Sequence, residues 1–210
     1  MEETVKAPVV TTVRHRMNSD GRGVATLVGF YGCPLRCRYC LNPFSFAVDT
    51  RRTDMTPQML YDAVKADELY FLATGGGVTF GGGEPLLYAH FLEDFRKVCG
   101  ERWHLCAETS LWIPESHVHV AAGCIDHFYV DVKDTDPVIY HRYTGQENTK
   151  VLENLQLLLS LVGLERITVR LPLIPGYNTE EHRRISKERL ADLGVTEFDC
   201  FTYQTEINKP

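Results

Sequence analysis

Short apolar runs that read as β-strands recur six times in this chain, and a helical pattern separates most neighbouring pairs. No other feature constrains the fold as much. The runs are Val24–Tyr31, Gly77–Phe80, Trp103–Ala107, His127–Val132, Arg166–Leu171 and Glu197–Tyr203. Between them, Thr56 and Pro57 read as an N-cap and first helical position, with Leu60 and Val64 carrying that helix towards Leu72. Leu87, Phe91, Phe95 and Val98 mark one face of a second helix, and Pro114 opens a short third. Val151, Leu155, Leu158 and Val162 mark a fourth, and Asn178 with Glu181 reads as a capping box for a fifth ending near Gly194. Strands joined through helices require right-handed crossovers and hence a parallel sheet. Periodicity leaves two α/β architectures open, a doubly wound sheet and an incomplete barrel. Both place chemistry at the C-terminal ends of the strands.

With 210 residues, a single domain over 1–210 is expected. The net charge of −6 argues against a nucleic-acid surface, since phosphates demand clustered Lys and Arg. No basic start leads into an apolar leader, and no window approaches a membrane span. Seven cysteines suit a reducing compartment better than a disulfide framework, so a cytoplasmic protein with no membrane partner is expected.

Three of those cysteines, Cys33, Cys37 and Cys40, fall at C-x3-C-x2-C spacing in a loop with Gly32 and Pro34. Structural zinc usually takes four protein ligands from two separated pairs, and no second pair exists here. A four-iron cluster held by three thiolates keeps one iron open for something else to bind. A metal-free cluster of reduced thiols is the blander reading, and such dense spacing disfavours it. Cys99, Cys106, Cys124 and Cys200 stand alone in apolar settings and read as buried small hydrophobes. His117 and His119 share no helix face and read as surface residues.

Chemistry-bearing residues follow the strands. Gly82, Gly83 and Glu84 close the second run, and glycine there lets backbone approach a ligand closely. Glu108 and Thr109 follow the third run. Asp131 and Lys133 fall on one side of the fourth, where a plain salt bridge is an equal reading. Arg170, inside a β-rich run, needs a partner, which a carboxylate ligand would supply.

The cysteine spacing, with Tyr39 just before the last cysteine, resembles the signature of the radical S-adenosylmethionine (SAM) superfamily. That resemblance implies a partial (β/α)6 barrel of parallel strands. It also implies one 4Fe-4S cluster on Cys33, Cys37 and Cys40, and SAM cleaved reductively to a 5′-deoxyadenosyl radical that abstracts hydrogen. The segments "GGGVTFGGGEPLL", "DVKDTDPVIYHRYTGQENTKVLENLQLL" and "RLPLIPGYNTEE", with "SDGRG" upstream, are similar to those of glycyl-radical-enzyme activating enzymes across about residues 14 to 185. By that similarity Tyr39, Cys40 and Leu41 face the adenine, and Gly82, Gly83 and Glu84 take the amino group. Asp131, Lys133 and Arg170 surround the ribose and carboxylate, Asp131 and Lys133 as catalytic residues. Glu108 and Thr109 stand where the family has an Asp-Thr pair associated with a monovalent cation. The implied partners are a glycyl radical enzyme as substrate and a flavodoxin or ferredoxin as electron donor, with the chain itself a monomer.

Two departures accompany the match. Leu41 stands where the family has a histidine, and Thr202, Tyr203 and Gln204 replace a strand-end Pro-Tyr-His, after which the usual C-terminal extension is missing. The barrel is therefore expected to gape beside its last strand. Besides the activase reading, two others stand: a radical enzyme modifying another peptide or a small molecule, and a non-catalytic scaffold that binds cluster and SAM.

Overall fold

The computed structural model describes residues 5–17 and 21–203. All six expected strands form: β2 (Val24–Phe30), β4 (Gly77–Gly82), β5 (His104–Thr109), β6 (His127–Asp131), β7 (Ile167–Leu173) and β8 (Phe198–Thr202). They lie side by side in chain order, every pairing parallel. This ordering decides between the two architectures. A doubly wound sheet reverses direction at a switch point, whereas right-handed crossovers to successive neighbours put every helix on one face. The result is a partial barrel, open between its two edges.

Two strands escaped the sequence reading. β1 (Ala7–Met17) runs antiparallel to β2, and β3 (Thr53–Met55) pairs with β1 at the edge. β1 hides its pattern because two register shifts break its alternation, between Val9 and Thr11 and between Val13 and Arg16. The second shift turns Arg14 and His15 together onto Asp67, a fully buried carboxylate that also accepts from the Thr26 hydroxyl at 2.9 Å.

Helices α1 (Pro57–Val64) and α2 (Glu68–Thr74) divide the first expected helix at a 3-10 turn, 65–67. Then come α3 (Ala89–Cys99), α4 (Glu115–Cys124), α5 (Pro137–Thr144), α6 (Thr149–Leu161) and α7 (Glu180–Asp192). α5 was also missed, although its signals are in the sequence. Asp136 caps it by accepting from Val138 and Ile139 amides, Pro137 occupies the first position, and Gly145 ends it in the left-handed region. The cap of α7 needs correcting too. Thr179, paired with His182, closes the capping box, not Asn178 with Glu181. Asn178 instead accepts the Ile174 amide and donates to Asp134 and Pro172.

One core unites sheet and helices, with Phe30, Phe80, Phe91, Phe95 and Trp103 fully buried. Cys99, Cys106 and Cys124 are buried as expected, but Cys200 is exposed. It lies on β8, which has a neighbour on only one side among the described residues. His117 is half-buried rather than superficial, its Nδ1 donating to the Leu86 carbonyl at 2.8 Å. Among the described residues no helix is long and apolar enough to cross a membrane.

Candidate active site

A cleft of about 460 Å³ opens at the C-terminal ends of the parallel strands. It is lined by Cys33, Cys37, Cys40 and Leu41, by Gly82, Gly83 and Glu84, and by Glu108, Thr109, Asp131, Lys133 and Arg170. Of the residues singled out in the sequence, only Tyr39 is missing from that lining. Its ring packs edge-on against Tyr177 at 5.7 Å. Serving the site from behind, it props the cysteine loop.

That loop is held by backbone. The Arg36 and Arg38 amides donate to the carbonyls of Thr144 and Tyr143 at 2.8 and 3.1 Å, using groups that the end of α5 would otherwise leave unpaired. Gln146 Nε2 reaches the Pro34 carbonyl at 3.3 Å, and the Arg36 guanidinium donates to the Cys33 carbonyl at 2.5 Å. Burial pushes the Cys33 thiol up to about 12, helped by Glu84, and the Cys37 thiol up to about 11 against the pull of Lys133. Both thiols stay protonated at neutral pH until a metal's charge displaces the proton. Among the described residues no three His, Cys, Asp or Glu converge on a single metal ion. Three cysteines of one short loop line the same cleft, and three thiolates are what a cubane with one open iron takes, so the residues present fit it.

Across the cleft, Gly82 and Gly83 carry β4 against the cysteine loop. Gly82 has φ +85°, and a Cβ on Gly83 would lie 2.1 Å from the Gly32 carbonyl oxygen. Gly83→Ala therefore forces the two backbones apart at the cleft wall. We expect it to destabilise the fold by about 1–3 kcal/mol, which denaturant titration would measure.

Glu84 is 1% exposed, and its carboxylate accepts four hydrogen bonds. They come from Leu86 N at 3.2 Å, Thr109 Oγ1 at 2.7 Å, Ser110 N at 2.8 Å and Ser110 Oγ at 2.7 Å. The segment after β5 makes this possible. Thr109 and Ser110 hydroxyls accept the amides of Leu111 and Trp112, which leaves their protons to donate to Glu84. Leu111 adopts φ 56°, and Asn154 of α6 secures the turn by donating to the Leu111 and Ile113 carbonyls. Burial pushes the Glu84 carboxyl up in spite of its donors. Four partners fill a carboxylate's acceptor capacity, so Glu84 orders the glycine turn and the turn's backbone faces the cleft.

Asp131 sits between two cations. Arg170 Nε donates to Asp131 Oδ1 at 2.8 Å, Lys133 Nζ to Asp131 Oδ2 at 3.1 Å, and Arg170 Nη1 to Glu108 Oε1 at 2.9 Å. Burial opposes each charge, but Arg170 and Lys133 hold the Asp131 carboxyl below its ordinary range, and Asp131 keeps Lys133 above its own. Among the described residues Arg170 engages two of the five N–H donors a guanidinium carries, and it lines the cleft. Glu108 Oε1 accepts from Arg170, and the Thr109 hydroxyl donates to Glu84.

The sequence reading missed Arg16, Ser110, Asp199 and Phe201 on the cleft wall, which Tyr203, noted there as a departure at the strand end, also lines. Ser110 directly follows the Glu-Thr pair and was within reach. Asp199 and Phe201 belong to β8, where no motif guided the eye. Gln204 and the Ser19-Asp20 portion of "SDGRG" fall outside the described residues.

A partial parallel barrel carrying a three-cysteine loop and a glycine turn at one end defines a cofactor-binding α/β fold. The Radical SAM superfamily profile matches residues 27–188, and the chain belongs to that superfamily. It is 27% identical to the (2S)-3-sulfopropanediol dehydratase activating enzyme of Klebsiella oxytoca, covering 85% of this chain and 74% of that one. It is 31% identical to the pyruvate formate-lyase-activating enzyme of Staphylococcus aureus, covering 77% of this chain and 66% of that one. A crystal structure of a domain of pyruvate-formate lyase-activating enzyme from Bacteroides vulgatus superposes with a TM-score of 0.54 at 30% identity, covering 64% of this chain and 87% of that domain. The chain thus spans about two thirds to three quarters of the curated relatives. The superfamily implies a 4Fe-4S cluster and SAM.

Proposed function

We propose that this chain is a radical SAM activase that takes a hydrogen atom from a backbone glycine of a partner glycyl radical enzyme. The observation that carries the reading is the meeting of Cys33, Cys37 and Cys40 with Gly82–Gly83 and the Asp131–Lys133–Arg170–Glu108 network in one cleft. The activating enzymes among its relatives support the choice of partner.

When bound, the cluster supplies the single electron that breaks a sulfonium carbon–sulfur bond of SAM. Everything else falls to this chain. Cys33, Cys37 and Cys40 hold the cluster, and Lys133 sets a positive charge near Cys37 to offset the thiolates. The backbone at Gly82 and Gly83 receives the ammonium of SAM, and Arg170 keeps donors for its carboxylate. Asp131 orients both cations and accepts from hydroxyls of the ribose. The cleft receives a glycine-bearing segment of the partner, and a flavodoxin or ferredoxin delivers the electron.

The test is anaerobic reconstitution with iron, sulfide, dithionite and SAM. Methionine and 5′-deoxyadenosine should form in equal amounts, and a partner glycyl radical enzyme should gain a protein radical visible by electron paramagnetic resonance. Release of 5′-deoxyadenosine with no such radical on any glycyl radical enzyme would move the reading to another peptide or small-molecule substrate. No release at all would leave the scaffold reading.

A further inference from the structure

Positive charge is concentrated around the cysteine loop of an otherwise acidic chain. Residues 33–52 carry Arg36, Arg38, Arg51 and Arg52 against the single Asp49, a net charge of +3 where the whole chain has −6. Arg142 of α5 joins them where that helix grips the loop. All five arginines are exposed, and none lines the cleft. Among the described residues none of the five is ion-paired with a carboxylate, whereas Arg96, Arg102 and Arg184 each hold one. Three of the five rest on rings instead. Arg36 lies 4.8 Å from the Phe46 ring centre, Arg52 4.2 Å from that of Tyr31, and Arg142 5.0 Å from that of Tyr177. Arg36 and Arg142 also donate to backbone carbonyls. Such partners orient a guanidinium without cancelling its charge.

A field of one sign around a half-buried centre steers a protein of opposite sign towards it, speeding encounter more than it adds affinity. The substrate glycine must enter the cleft, whose lining includes none of these arginines. An electron needs only a close approach to Cys33, Cys37 and Cys40, which are half-buried beneath this face. Electron-transfer encounters use small, transient interfaces, and a charged rim suits one. Resting on the cluster reading above, we propose that the outer face of the cysteine loop, marked by these five arginines, docks the electron donor, a small acidic one-electron carrier protein. The reduced carrier loses one electron and the cluster gains it, with no bond made or broken.

Arg38→Glu combined with Arg51→Glu tests this, because among the described residues neither side chain holds a protein partner and neither lines the cleft. Iron and sulfide content should equal that of the unmodified protein. The probe is a photoreduced acidic flavodoxin, mixed anaerobically with the iron-loaded protein by stopped flow. At low salt the variant should be reduced about tenfold more slowly or worse, and salt at about 0.5 M should slow the original far more than the variant. The methyl viologen radical cation should reduce the variant at least as fast as the original, because its charge has the opposite sign. Calorimetric binding of the same flavodoxin to the metal-free protein should weaken by about tenfold as well. Equal rates with flavodoxin, or an equal slowing with the viologen, would overturn the inference while leaving the cluster reading intact. Normal reduction by flavodoxin with slow radical formation on a glycyl radical enzyme would give this face to the substrate protein, and overturn it too. Absence of iron and sulfide from the unmodified protein would overturn the cluster reading itself.

Discussion

Cys37→Ala should abolish iron and sulfide retention and all cleavage of SAM, while the chain should still fold. The first half follows from ligand count. Three thiolates already leave one iron open, and two cannot hold a four-iron cluster against water and chelators. The second half follows from how the loop is built. Its shape is fixed by the Arg36 and Arg38 amides on α5, by Gln146 on Pro34, and by the Cys40 amide on the Cys37 carbonyl at 3.2 Å. None of these bonds uses a sulfur. The metal-free variant should therefore stay within about 1–2 kcal/mol of the metal-free original, the loss expected for trimming a partly buried side chain. Cys200→Ala, on the exposed face of β8, should keep full iron content. Iron and sulfide analysis together with denaturant titration of the metal-free proteins checks both halves. A Cys37→Ala protein that kept its cluster would sink the ligand assignment.

How far the sequence could be read depended on whether a signal was local. The three cysteines, the glycine turn and the six parallel strands each announce themselves within about ten residues, and they were legible. So was the end of the sheet that carries the chemistry, because parallel α/β topology dictates it. β1 was lost because its bulges break the period-two pattern, and its polar Arg14 and His15 make sense only beside Asp67, some fifty residues away in sequence. α5 was lost for another reason. Its cap, proline and terminal glycine are plain, but Val138 on it is exposed and its apolar stripe is short. The role of Glu84 was assigned by resemblance to ligand binding, whereas its four donors arrive largely from a different strand end, which no pattern in the glycine turn records. Cys200 was assigned to the core because its neighbours Phe198 and Phe201 are apolar, yet an edge strand leaves one flank uncovered.

The second large effect concerns the buried charges. Asp131→Asn should lower stability at neutral pH by about 3–5 kcal/mol, because Lys133 then loses the carboxylate it is paired with and Arg170 keeps only Glu108. Coulomb energy alone does not hold such a site together, since burial opposes the charges of Asp131, Lys133 and Arg170. Breaking the set is costly because it strands a cation, not because the pair is strongly favourable in itself. Removing Arg170 along with Asp131 should therefore cost less than the sum of the two single changes, a coupling a double-mutant cycle would reveal. The pH dependence follows with a definite sign. Arg170 and Lys133 hold the folded Asp131 carboxyl below its unfolded value of about 3.9, so its contribution is complete above that pH. It is lost as pH falls through the folded value. Lys133, held above its ordinary range, contributes fully below about 10.4 and loses that contribution only as pH rises beyond its folded value. Between these limits stability from the network is flat. Urea titrations from pH 7 down to 3 should show the original protein losing an acid-sensitive increment that Asp131→Asn lacks, with little response to salt because the charges are shielded from it. A variant within about 0.5 kcal/mol of the original at pH 7, with the same acid slope, would mean that the cations find other partners, and the cleft would owe its shape to packing alone.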